Sequence, residues 1–375
     1  MDIAGVGNRL PDKMTTGISA SRSSRLVLPS RRPVPTLVFS VLIALLLVVA
    51  ILSATTGAAN IPLHRLWPAL GIGTADSSGQ LVRDQLVLYS IRLPRLACAA
   101  MIGALLAMAG ALMQGLFRNP LADPALVGVS SGGAFAAALT IVIADKFLAA
   151  SPYVSLDLLP VAAFLGSLLT TVILYRIASS GGRTSVAMFL LAGLAIAALA
   201  NAGIGLLVFI ADDRQLRDIT FWLLGSLSGA TWTKAAMTAP VLAAVLVVIP
   251  FLARPLDLLI MGEAEAFHAG VSVERLKIAA IILISLMTGA AVATCGIVSF
   301  VGIVVPHLLR IMIGPAHRLL VPASAIFGAL LMLGADTFAR VLAAPAEVPV
   351  GILTAAVGAP FFLLLLLRQR ALVVS

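Results

Sequence analysis

The sequence predicts an all-α, polytopic membrane protein of about ten transmembrane helices. Three observations lead there. Hydrophobic residues make up 61% of the 375 and charged residues only 11%, with a mean hydropathy of +1.10. Nearly uncharged apolar runs of spanning length, about 20 residues, recur along the chain. Aromatic residues are sparse, at 6%, while Gly and Ala are frequent, as in helices packed backbone to backbone through small side chains.

Residues 1–35 are polar, basic and rich in Ser, Arg and Pro, the composition of a disordered tail. This polar part is too long for a cleavable signal. The run that follows it is of spanning length, so the first span is expected to be retained. The spans fall near 36–54, 95–115, 126–145, 156–178, 187–211, 235–253, 277–297, 299–313, 319–340 and 349–368, giving one transmembrane unit over 36–370. The eighth is short and contains Pro306, which leaves a count of nine open. An even count puts both termini on one side. The basic tail, with Arg31 and Arg32 before the first span and Arg368 and Arg370 after the last, assigns that side to the cytoplasm. Without the tail, the loop charges nearly balance.

Three connections are long. Residues 55–94 form an external segment. Residues 212–234 contain FWLLGSL, too short to span, which reads as a re-entrant or interfacial helix with Phe221 and Trp222 at the membrane surface. Leu256–Val271 on the inner side carries Glu263 and Glu265 among apolar residues, as a short surface helix would. The second span runs into a knot, Arg118-Asn119-Pro120-Leu121-Ala122-Asp123-Pro124, and the seventh into Gly296–Pro306. Non-helical backbone in lipid must be buried in protein or line a watery cavity. Two such segments in spans of opposite direction suggest an inverted repeat.

The +9 charge is spread over short loops rather than gathered into a stripe, which argues against nucleic acid as a partner. Cys98 and Cys295 lie inside apolar runs and read as small buried hydrophobes. His64, His268, His307 and His317 lack metal-ligand spacing and read as surface or helix-end residues; no metal or cofactor is assigned. There is no phosphate-binding glycine loop, so the chain is not expected to hydrolyse ATP. Charges in mid-membrane are nearly missing, which disfavours an ion-driven carrier. An intramembrane enzyme would have only Asp336 and His307 to work with, so no residue is assigned to catalysis.

Small residues recur at i, i+4, i+8 and i+12 in two spans: Gly103, Ala107, Ala111 and Gly115 in the second, and Gly193, Ala197, Asn201 and Gly205 in the fifth. Close packing explains most of them. Asn201, an amide in mid-span, needs a partner or water and is a candidate for lining a pathway. Asp336 and Arg340 are four apart and could pair along one helix. Alternatively, Arg340 joins Arg92 and Arg95, forming an arginine mouth that docks carboxylates of a partner.

Several motifs then occur together and in order. They are Arg92-Leu93-Pro94-Arg95, Gln114-Gly115, Asn119-Pro120-Leu121-Ala122-Asp123-Pro124, Gly128-Val129-Ser130-Ser131-Gly132, Phe221-Trp222, Pro306-His307, Glu347-Val348-Pro349-Val350-Gly351 and Gly358-Ala359-Pro360-Phe361-Phe362. Over roughly 40–370 the chain resembles the FecCD-type permease, the membrane subunit of ABC importers for iron-siderophores, haem and cobalamin. The 113–124 stretch is most similar to haem permeases. The resemblance implies the ten-helix architecture of a type II ABC importer permease in a bacterial inner membrane. It also implies a dimer, with itself or a paralogue, around a central pathway, two ATPase partner subunits and a periplasmic binding protein. By the resemblance Arg92, Arg95 and Arg340 meet the binding protein. The fifth span, with Gly193, Ala197, Asn201 and Gly205, lines the pathway. The 256–271 connection, with Gly262, Glu263, Glu265, Ala269 and Gly270, couples to the ATPases. The N-terminal tail has no counterpart in the family pattern.

Overall fold

In the computed structural model, residues 34–57, 61–72, 79–147, 152–180, 183–344 and 346–374 are described; the basic tail lies outside them. The helices are α1 (Pro35–Thr55), α2 (Leu63–Ala69), α3 (Gly79–Val87), α4 (Leu93–Leu116), α5 (Val129–Phe147), α6 (Pro152–Ala178) and α7 (Val186–Ile210). They continue as α8 (Asp213–Leu223), α9 (Trp232–Met261), α10 (Glu263–His268), α11 (Val273–Cys295), α12 (Val301–Ile313), α13 (His317–Leu342) and α14 (Val350–Val374). A two-residue hairpin, β1 (Ser179–Ser180) with β2 (Arg183–Thr184), joins α6 to α7. Among the described residues, seven segments are long and apolar enough to cross a membrane. They are α1, the rod running from α3 through α4, α6, α7, α9, α11 and α13; α5, α12 and α14 contain shorter apolar segments where the sequence predicts the remaining three spans.

The helix ends follow their sequence. Pro35 opens α1, where a missing N–H costs nothing. Ser185 and Thr231 accept backbone N–H groups at the starts of α7 and α9. Asp212 and Gln215 close a reciprocal capping box on α8. The 55–94 segment is not one extended excursion but α2 and α3. A π-helical turn, Leu88–Arg92, then runs into α4 without a break. Pro94 has no N–H to return to the preceding turn, and the widened turn accommodates it. The short helix of the 212–234 connection covers 213–223, so it takes in only the Phe221–Leu223 start of the FWLLGSL run.

α4 and α11 form the axis of the bundle. In each, 78% of the most apolar stretch is buried, against 22% in α1, α7 and α9. α4 packs against α13, α11, α9 and α12. The Gly/Ala stripe of the second span is a packing surface, as its spacing predicts. A Cβ on Gly103 would overlap the Gly328 carbonyl of α13, one on Gly110 the Gly302 carbonyl of α12, and one on Gly115 the His317 ring. The fifth span behaves differently. The buried face of α7 is Phe189, Ala192, Gly193, Ala200, Ile204 and Leu207. Gly193 packs on Gly128, whereas Asn201 and Gly205 are exposed and Ala197 is half-buried. The expected small-residue stripe is therefore split, because a neighbouring segment covers α7 at Gly193 while nothing packs within 4 Å of a Cβ on Gly205.

The two interruptions differ in burial: the first is exposed at Arg118, Asn119 and Pro120 and buried only from Ala122, whereas residues 296–300 are buried or half-buried. After α4 the chain turns at 117–122, and Asp123 accepts the Ala125 N–H at 3.1 Å to cap a 3-10 turn, Pro124–Val127. After α11, Gly296 takes φ +77°, a conformation that favours glycine. Residues 296–300 then run without helix to α12, which starts beside Gly110, part-way along α4. Gln114 braces this half-helix. Its amide donates to the Gly302 and Ile303 carbonyls at 3.3 and 3.4 Å, and its oxygen accepts from Arg310 at 2.9 Å. The surface or helix-end reading of the histidines fails at His307, which is half-buried midway along α12. His64 and His268 are exposed, but His317 at the start of α13 is fully buried, with Asp257 2.6 Å from its Nδ1. The same carboxylate accepts the His317 backbone N–H at 2.9 Å, so one group caps α13 and pairs with the Nδ1 side of the ring, leaving the buried Nε2 without a partner.

Two outcomes are expected for stability. Gly110→Ala should cost ~1–3 kcal/mol through overpacking against backbone, lowering the melting temperature in detergent, while Gly205→Ala, which meets nothing within 4 Å, should leave it unchanged. Burial pushes the Asp123 carboxyl up to about 6. An acid raised in the folded state binds its proton more tightly there. Stability from this group should be greatest below about pH 4, fall as pH rises to about 6 and be flat above. Asp123→Asn keeps the cap and should remove that slope from a melting-temperature series.

Candidate functional site

Three groups of residues stand out, two of them at opposite ends of the bundle. At the end holding α8, the three arginines singled out in the sequence do converge. Arg92 closes the π-turn and Arg95 opens α4. Arg340 comes from the last turn of α13, which lies alongside α4. The Arg92 and Arg340 guanidinium groups both flank Gly57, just after α1. All three arginines are hydrogen-bonded within the chain. Arg92 donates to the Ala54 carbonyl. Arg340 donates to the Thr56 carbonyl at 3.0 Å and to Ser53 Oγ at 2.8 Å. Arg95 grips two carboxylates, Asp336 at 2.8 Å and Glu347 at 2.9 Å. Asp336 also pairs with Arg340 at 3.2 Å.

The sequence offered two roles for Arg340, an intrahelical pair with Asp336 or membership of an arginine cluster. The structure contains both, because Asp336 bridges Arg95 and Arg340. The cluster is not an open mouth of bare guanidinium groups. The Arg95 side chain is 9% exposed and Asp336 1%, but Glu347 is 38% exposed. Three cations face two carboxylates, so the local balance stays positive. Glu347 was visible only as part of a motif. Its role depends on where the turn after α13 returns the chain, which no local spacing reports.

The second group is the exposed face of α7. Asn201 and Gly205 lie on it, with Leu194, Leu199, Leu206 and Phe209 heavily exposed beside them. The face is almost entirely apolar, and its one mid-helix amide is not committed to packing.

The third group lies at the opposite end. The segment predicted as a surface helix is in part an extension of α9, which continues through Pro250 and Pro255 to Met261. Gly262 takes φ +144°, breaking the rod, and the six-residue α10 follows with Glu263 and Glu265 in its first turn. Ala269 and Gly270 close it, Gly270 at φ +84°. α10 is tied to the next elements by Lys277, whose ammonium donates to Glu263 at 3.0 Å and to the Thr184 carbonyl at 3.3 Å. The Thr184 hydroxyl in turn donates to Glu274. α10, α11 and the hairpin leading into α7 thus share one polar network, and the sequence did not single out Lys277 or Thr184. A reactive pair of Asp336 and His307 is not formed. Asp336 is held by arginines, while His307 packs edge-on against Phe361.

Comparison with known proteins agrees with this architecture. Residues 45–368 match the FecCD transport family. The chain is 42% identical over 336 residues to the hemin transport system permease HmuU of Yersinia pestis, spanning 90% of this chain and 97% of that one. It is 41% identical over 306 residues to a cobalamin import permease, BtuC, of Halobacterium salinarum, spanning 81% and 80%. It is 38% identical over 330 residues to the iron(3+)-hydroxamate permease FhuB of Bacillus subtilis, spanning 88% and 82%. A solved structure of a metal-chelate type ABC transporter in an inward-facing conformation superposes with TM-score 0.76 at 32% identity, covering 89% of this chain and all of that one. The chain belongs to the FecCD transport family and is a membrane-spanning permease subunit of an ABC importer, with ATP hydrolysis residing in separate partner subunits.

Proposed function

We propose that this permease carries a metal chelate, an iron-containing one (haem before iron-siderophore) ahead of cobalamin, through a pathway formed where the α7 faces of two copies meet. The observation that carries the reading is the near full-length similarity to a hemin permease, joined to an exposed apolar helix face that includes Asn201. In a dimer, Gly193 would stay in the packed side of α7, while Ala197, Asn201 and Gly205 would border the passage. An apolar passage with few charges suits a large chelate, because it offers no strong site in which cargo would stall.

The arginine end is proposed to face the periplasm, where a binding protein docks, with both termini and α10 in the cytoplasm of a bacterial inner membrane. Docking uses the positive excess around Arg92, Arg95 and Arg340. Carboxylates of the binding protein take the place of Glu347, the accessible acid of the cluster, while the buried Asp336 keeps Arg95 and Arg340 in position. At the other end, Gly262, Glu263, Glu265, Ala269 and Gly270 present α10 to the ATPase pair. The Glu263–Lys277–Thr184 network passes displacement of α10 to the base of α7.

The assay is the full complex in proteoliposomes with its binding protein and candidate ligand. ATPase activity is expected to rise on adding the loaded binding protein; no stimulation by any candidate binding protein overturns the reading. Arg340→Gln should weaken capture of the binding protein about tenfold, and Glu347→Gln should tighten it by removing the competing carboxylate. Unchanged capture in both rejects the docking role. Gly262→Ala places a side chain at a φ that only glycine adopts easily, and Lys277→Met cuts the polar link to the hairpin. Each should lower uptake per ATP hydrolysed about tenfold with ATPase retained; normal uptake in both would remove α10 from the coupling path.

A further inference from the structure

Two cavities meet at Lys234, near the start of α9. The upper one, about 280 Å³, lies under α8. It is lined by Arg214, Arg217 and Lys234 against a single carboxylate, Asp218, with Trp222 and Ser228 completing the wall. Arg214 and Asp218 are 4.0 Å apart, at the outer limit of an ion pair. The Lys234 ammonium points toward the 226–229 turn, 3.3 Å from where a Cβ on Gly229 would stand. The lower cavity, about 230 Å³, shares Lys234 and Thr294 with the upper one and is otherwise almost wholly apolar.

The lower cavity is a groove. α6 and α9 each pack on α11, and the groove between them has α11 as its floor. Lys234, Met237, Thr238 and Val241 follow one another down α9 at i, i+3, i+4 and i+7, a path of about 10 Å along the helix axis. Pro160, Phe164 and Leu165 of α6 form the opposite wall, and the exposed Leu165 and Met237 mark its open side. A basic head region thus leads directly into an apolar slot at membrane depth.

We propose that this pair of cavities is a binding site for a phospholipid with an anionic headgroup. The phosphate lies among Arg214, Arg217 and Lys234, and one acyl chain lies along the α6–α9 groove. Charge complementarity selects the headgroup, three cations against one acid, and clefts of this kind between transmembrane helices bind anionic lipid heads. The apolar slot distinguishes a lipid from a soluble anion, which would have no use for it. Lys234 suits the junction, since its methylene stem packs in the groove while its ammonium reaches the polar rim. The site involves neither the arginine cluster around Asp336 nor the exposed face of α7. A bound lipid would brace α8 and α9 against α6, and α8 directly follows α7.

The test uses the full-length permease in detergent micelles, with phosphatidylglycerol, phosphatidylcholine or inorganic phosphate added at equal concentration. Phosphatidylglycerol is expected to raise the melting temperature by ~5 °C and to be retained as a one-to-one adduct in native mass spectrometry. Phosphatidylcholine and phosphate should do neither. Arg214→Gln with Arg217→Gln changes only exposed side chains, so folding should survive, and the adduct should fall about fivefold. Val241→Phe fills the groove and should reduce the adduct while leaving the charges intact. An equal shift with phosphatidylcholine would overturn the charge selection, and an equal shift with phosphate alone would show a soluble-anion site instead. Full retention of the adduct in both variants would place the lipid elsewhere.

Discussion

Inside a bilayer there is no water to drive apolar surfaces together, so helices associate only where their backbones come close enough for dense packing and mutual hydrogen bonding. In this protein that closeness is concentrated on α4. Gly103 against Gly328 and Gly110 against Gly302 let α13 and α12 lie directly on it, and nearly every residue from Pro94 to Leu116 is buried. The rest of the site geometry follows from this contact. Because α13 lies along α4, Asp336 and Arg340 come to rest beside Arg95. Because α12 can touch α4 part-way along, the chain can afford five non-helical residues within the bundle. Gln114 then supplies the hydrogen bonds that hold the half-helix there.

Charge is handled differently at the two ends. The arginine cluster is a buried network in which each guanidinium has carbonyl or carboxylate partners from α1, α13 or the turn before α14. Removing one partner from such a network leaves a charge without compensation, at a cost of about 3–5 kcal/mol. The cluster is therefore as much a clasp closing three segments as a surface for recognition. Glu347, more than a third exposed, is the member through which an external partner can enter it. At the other end the polar ties are fewer. Lys277 holds Glu263 and a hairpin carbonyl, which leaves α10 attached by a short, movable set of bonds.

The helices were legible because spanning a membrane leaves a long, one-letter signature. Most spans sit close to where apolar length placed them, whereas the capping box that starts α8 and the break at Gly262 are details only the structure supplied. The convergence of Arg92, Arg95 and Arg340 was also legible, since all three were assigned to the ends of spans on one side. The α7 stripe was misread in part. Small residues at fixed spacing say that a face is smooth, and only the neighbouring helices decide whether it is covered. Buried His317 was missed for a related reason, since its partner Asp257 lies 60 residues away on a helix that the sequence reading ended four residues earlier.

What the sequence determined alone was the class: an all-helical membrane permease without its own ATPase motif, with the order of spans and the motifs that mark its family. Those properties depend on composition and local spacing, which lipid constrains strictly. Tertiary structure alone decided which charges neutralise one another. It made Asp336 a bridge to Arg95 as well as the intrahelical partner of Arg340, brought Glu347 to Arg95 across 252 residues, and joined α10 to the hairpin below α7 through Lys277. The physical reason is that ion pairs and buried hydrogen bonds act over a few ångströms of space, and the approach of α4, α11 and α13 sets those distances.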